Sequence, residues 1–82
     1  MSDSSSQYVA VEAMRQFYVR EGIGAGHLRE MSQAASKRFG RLVPLSAVPE
    51  LFGDNADASK FLKVAFSEPY LKITQQVMAS AW

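Results

Sequence analysis

A small all-α domain, a compact bundle of about four helices plus a short helical turn, is what this sequence predicts. Three observations predict it. Apolar residues recur at helical spacing in several separate stretches. Glycines and prolines punctuate the chain between those stretches. The composition, 48% hydrophobic and 21% charged over 82 residues, is that of a folded globular chain and not a disordered one. A chain of this length has room for one core and should bury somewhat over ~60% of the surface its unfolded form exposes. The domain is therefore expected to occupy residues 7–82 as a single unit, behind a polar lead over residues 1–6.

The elements follow in order. Ser4 and Gln7 have capping-box spacing ahead of the first apolar run, so a helix is expected over residues 7–21. In it Val11, Met14 and Tyr18 form an apolar stripe, Ala10 and Phe17 widen that stripe, and Glu12, Gln16 and Arg20 lie on the other side. Gly22, Gly24 and Gly26 end it. A second helix, residues 27–39, sets Leu28, Met31, Ala35 and Phe39 on one stripe. It closes with Lys37, Arg38 and Gly40, a basic last turn followed by the residue that most readily leaves a helix. Pro44 and Pro49 bias the valines before them toward extended backbone, so residues 41–43 are expected extended and residues 46–52 as one short helical turn. Asp54 and Asn55 offer caps for a third helix over residues 56–66, with Ala58, Phe61, Leu62 and Ala65 inward and Lys60 and Lys63 outward. Ser67, Glu68 and Pro69 restart the chain as a last helix, residues 68–81.

That last helix carries the broadest apolar arc of the chain. At about 100° per residue, Tyr70, Ile73, Val77 and Ala81 sit beside Leu71, Met78 and Trp82. Residues 70–74 also alternate tolerably as a strand, and pairing them with residues 41–43 would give the alternative fold, a small winged-helix domain with a minimal two-strand wing.

Several function classes are excluded or disfavoured by composition. Cysteine is absent, which removes disulfides, thiolate metal sites, iron–sulfur clusters and thiol catalysis, and fits a reducing, cytoplasmic setting. Asp3 and serines stand where a secretory signal would carry a basic residue and an apolar run. The longest uncharged stretches, residues 42–49 and 73–82, are too short to span a bilayer, so no membrane role is expected. His27, the one histidine, has Glu30 a turn away but no nucleophile placed beside it, and reads as a surface or capping residue. The glycines at 22, 24 and 26 lack the preceding strand and the following Lys-Ser or Lys-Thr of a phosphate loop. Glu50, Asp54, Asn55 and Asp57 lack the alternation of a calcium loop, and Asp54 and Asp57 read as helix N-terminal carboxylates. Neither an enzyme nor a cofactor or small-molecule site is expected.

What remains is the distribution of charge. The net charge is only +1, yet residues 27–41 carry Arg29, Lys37, Arg38 and Arg41 against Glu30 alone, a balance of +3, and residues 42–57 carry Glu50, Asp54 and Asp57, a balance of −3. Two expectations about function follow. The leading one is a protein-protein interaction module, forming a homodimer through the last helix by way of Tyr70, Ile73, Val77, Met78 and Trp82, residue types that concentrate energy at interfaces. The alternative is a small DNA-binding regulator of helix-turn-helix or winged-helix type. In it Arg29, Gln33, Ser36 and Lys37, which share an arc opposite the apolar stripe, act with Arg41 on phosphates and base edges.

Overall fold

The computed structural model describes residues 7–81, with side chains as far as residue 80. The polar lead over residues 1–6, its Ser4 cap, and Trp82 lie outside the described residues. Within them the chain runs as β1 (Tyr8–Ala10), α1 (Val11–Glu21), α2 (Ala25–Phe39), β2 (Leu42–Pro44), a 3-10 turn (Leu45–Ala47), α3 (Val48–Phe52), α4 (Asn55–Val64) and α5 (Tyr70–Ala81). It is mostly helical, with one small two-stranded sheet.

The sheet corrects the expected beginning of the chain. Residues 7–10 are not the first turn of a helix. Tyr8 to Ala10 pair antiparallel with Leu42 to Pro44, with Val9 opposite Val43. The ladder is extended by the Leu45 amide donating to the Gln7 carbonyl at 3.2 Å and the Val11 amide donating to the Arg41 carbonyl at 2.9 Å. Val9, Ala10 and Val43 are fully buried, and covering this run of apolar backbone needs a partner strand that lies more than thirty residues away. The wing proposed between residues 41–43 and 70–74 is also overturned. The first of these segments is a strand, but it pairs with β1, and residues 70–74 are the start of α5.

Helices α1 and α2 close at Gly22 and Gly40 as expected, but Gly26, expected in the turn between them, lies inside α2, which begins at Ala25 and not at His27. Gly22 closes α1 at φ 72°, and Gly53 closes α3 at φ 74°. These are left-handed conformations that cost other residues energy. Asp54 caps α4, its Oδ1 accepting from the Ala56 amide at 2.9 Å and from Asp57 at 3.3 Å. The last helix begins two residues later than expected, at Tyr70, after the Leu71 amide has bonded the Ser67 carbonyl at 3.0 Å.

One core joins all of this. Phe17 and Tyr18 of α1, Phe52 of α3, Phe61 of α4 and Tyr70 of α5 form an aromatic cluster, with Phe17 to Phe61 ring centroids 5.2 Å apart, Tyr18 to Phe52 5.0 Å and Phe52 to Phe61 5.4 Å. Edge-on and stacked pairs of this kind add to the burial of the rings themselves. Met14, Met31, Ala35, Val48, Ala58 and Ala65 complete it, and Leu28, Phe39 and Leu62 pack on its margin. The radius of gyration, 11.8 Å, is what a single packed domain of this length should have, about 12 Å.

Among the described residues, Thr74 is the one buried polar residue of this interior. It is 1% exposed, and its Oγ1 accepts the Ala10 amide at 3.1 Å, tying α5 to β1 where the strand hands over to α1. Without that oxygen the Ala10 amide would be buried and unpaired.

Candidate basic groove between α1 and α2

The short turn after Glu21 folds α2 back along α1. The apolar stripes of both helices go to the core, so their polar arcs meet along a common seam. Two adjoining hollows open on this seam. The first, about 400 Å³, is lined by Arg15, Ala25, Leu28, Arg29, Ser32 and Gln33. The second, about 270 Å³, is lined by Val11, Glu12, Arg15, Ser36, Gly40, Arg41 and Val77. Arg15 belongs to both, so the two form one discontinuous groove.

Arg29 and Gln33, expected together on α2, line the first hollow, and Ser36 and Arg41 line the second. Lys37 is exposed but lines neither. Arg15 is the residue that the sequence did not single out. It sits on the polar arc of α1, and only the fold turns that part of the arc toward α2. Its side chain is half exposed, and its ion pair with Glu12 is loose, at 3.9 Å. Such a surface pair contributes about 0–1 kcal/mol and leaves the guanidinium free to meet another anion. Glu12 is the one carboxylate lining the hollows.

Other charges are neutralised elsewhere. Arg38 reaches Glu50 at 3.1 Å and lies over the Phe39 ring, its guanidinium carbon 5.0 Å from the centroid, so the basic and acidic stretches of the sequence touch at this point. Lys60 pairs with Glu21 at 3.1 Å beside a third hollow, of about 360 Å³, which Arg20 and Glu68 also line. There the signs are mixed, and no field of one sign develops.

Ser32 has a further peculiarity. Its Oγ is buried and has no hydrogen-bond partner among the described residues, although a mid-helix serine commonly bonds back to the carbonyl one turn earlier. His27 is exposed on the first turn of α2. Among the described residues, no group of three or more histidines, aspartates or glutamates is placed to hold a metal ion, and no helix is long and apolar enough to cross a membrane.

The second candidate surface, α5, is largely drawn inward. Tyr70 is 5% exposed, and Ile73 and Val77 pack on the core. Leu71 and Met78 are partly exposed on the edge of the arc. Of the expected interface residues, Tyr70 is buried, Ile73, Val77 and Met78 are half-buried, and Trp82 lies outside the described residues.

Tyr18 is held protonated by its surroundings. Burial, and next to it the charges of Asp57 and Asp54 at the start of α4, push its phenol up to about 12. It is a core group, not an acid-base one. No protein-family model matches this chain, and no curated protein or solved structure matches it at a significant level.

Proposed function

We propose that the protein is a non-enzymatic nucleic-acid-binding module that holds phosphates along the groove between α1 and α2. One observation carries the reading. Arg15 from α1 joins Arg29 and Arg41 around adjoining hollows that also present Gln33 and Ser36, while the nearby Arg38 is already spent on Glu50. Three guanidiniums facing one seam suit bidentate contacts to phosphate oxygens better than they suit a merely solvated face. A net charge of +1 does not oppose this, because local fields and not the total govern such encounters. The reading takes up the nucleic-acid alternative through the α2 residues expected for it, with Arg15 of α1 added.

The test is a polarisation or gel-shift titration with duplex and single-stranded oligonucleotides at low and moderate salt. Arg29→Ala should weaken binding and flatten its salt dependence, and Lys37→Ala should do so less, since Lys37 stands off the groove. A wild-type protein that binds neither form at low salt would end the reading and return these side chains to solvent.

A second reading, self-association as a homodimer in a cytoplasmic setting, is favoured by the partly exposed edge of α5. By the same 100° arithmetic Leu71 and Met78 lie within about 20° of one another there. Two copies meeting along that edge would bury it symmetrically. Sedimentation across micromolar to near-millimolar concentrations tests it: Met78→Ala should shift a dimer toward monomer, and a wild-type monomer throughout would rule it out.

A further inference from the structure

Resting on the nucleic-acid reading, we infer that the groove takes a single strand, through its phosphates and without regard to base. Width is the first argument. A helix with its side chains is about 10–12 Å across, which is what a major groove about 12 Å wide admits. The arginines here do not stand on one projecting helix. Arg15 is on α1 and Arg29 on α2, and two packed helices with axes about 8–10 Å apart present a face close to 20 Å wide. That face is too wide to lie inside a major groove as a whole. The basic groups instead surround recesses, into which a flexible strand can lay its backbone.

Length and lining carry the rest. The groove follows α2, and from Arg29 to the helix end at Phe39 it runs about 15 Å, enough for a short run of phosphates between Arg29 and Arg41, with Arg15 lining both hollows. Among the described residues, no aromatic side chain lines either hollow. Proteins that hold single strands by their bases supply aromatic platforms for stacking, and without one the contacts left are charge and hydrogen bonding to the backbone. Such binding is insensitive to base identity and steeply sensitive to salt.

The experiment is fluorescence polarisation of the full chain with labelled oligothymidylate, oligocytidylate and a mixed-sequence duplex, all long enough to span α2, between about 50 and about 200 mM salt. The two single strands should bind within about threefold of each other, and the duplex about tenfold more weakly or worse. The double variant Arg15→Ala, Arg41→Ala should lower the single-strand salt slope by about 1.4, at ~0.7 per lost phosphate contact. Arg20→Ala, a basic change outside the groove, should leave affinity unchanged, and circular dichroism should show all variants folded. Duplex binding as tight as single-strand binding would overturn this inference and leave the nucleic-acid reading standing. A preference of more than about tenfold between the two single strands would overturn the backbone-only claim. A salt slope unaltered by the double variant would overturn the placement in the groove. No binding of any probe at the lower salt would overturn both this inference and the reading beneath it.

Discussion

Helices α2 and α5 are the two longest of the described elements, both amphipathic, and they meet opposite fates. The arc of α5 is wide because it is used along its length: α1, β1 and β2 pack against it, its Tyr70 ring meets Phe61 of α4, and even Thr74, a polar residue on that arc, is enclosed so that its hydroxyl accepts the Ala10 amide. The apolar stripe of α2 is narrower, with Met31 and Ala35 buried and Leu28 and Phe39 at the margin, and its opposite arc stays open. Helix α2 also meets three elements, α1, α3 and β2, so what separates the two helices is the width of the arc that is buried and not the number of neighbours. A functional surface is better sought where one narrow stripe leaves the polar side free.

The sharpest way to break this contrast is to attack the part of the core that α5 shares. Phe61→Ala should cost about 3–5 kcal/mol, a large part of the stability of so small a domain, because the ring touches Phe17, Phe52 and Tyr70 together. Chemical denaturation measures it, and a loss under about 1 kcal/mol would mean the aromatic cluster is loosely packed. Thr74→Val, nearly isosteric, should cost about 1–3 kcal/mol by stranding the Ala10 amide, with faster exchange of that amide proton as its signature. Asp54→Ala should cost about 1 kcal/mol through the cap of α4. On the other side of the comparison, Arg29→Ala should change stability by less than about 0.5 kcal/mol, as an exposed residue should.

Two smaller effects sharpen the picture. Tyr18, with its phenol raised to about 12, keeps its proton in the folded state while the unfolded chain ionises near 10. The unfolded state therefore loses protons first, and stability should fall as pH rises from about 10 to about 12, a component that Tyr18→Phe removes. Denaturation midpoints of the two proteins either side of pH 10 would show it. Ser32→Ala removes a buried hydroxyl that has no partner, so the melting temperature should hold or rise slightly, and a clear fall would mean that the hydroxyl is bonded.

Much of the fold was legible in local pattern. The stripes of α1, α2 and α4, the glycines that end α1 and α2, and the Asp54 cap are all short-range features, and the structure places them as expected. Residues 8–10 were not legible. Three residues, two of them buried, do not declare a period, and their partner strand lies far along the chain. The wing was misplaced for the same reason: Leu42 to Pro44 is extended as the prolines imply, but nothing local says which segment it pairs with. Four residues of the groove could be named from α2 and the turn after it, whereas Arg15 could not, because its relation to Arg29 exists only once the turn after Glu21 has folded the helices together. Helical arithmetic likewise gave the width of the α5 arc without the number of neighbours that would fill it.

The most direct measurement is amide chemical-shift mapping of isotopically labelled protein as oligothymidylate is added. The account predicts that perturbations gather on Arg15, along Ala25–Phe39 and at Arg41, with the exposed edge of α5 at Leu71 and Met78 unmoved. Perturbations centred on that edge of α5, or spread evenly over the basic side chains including Arg20 and Lys63, would contradict it.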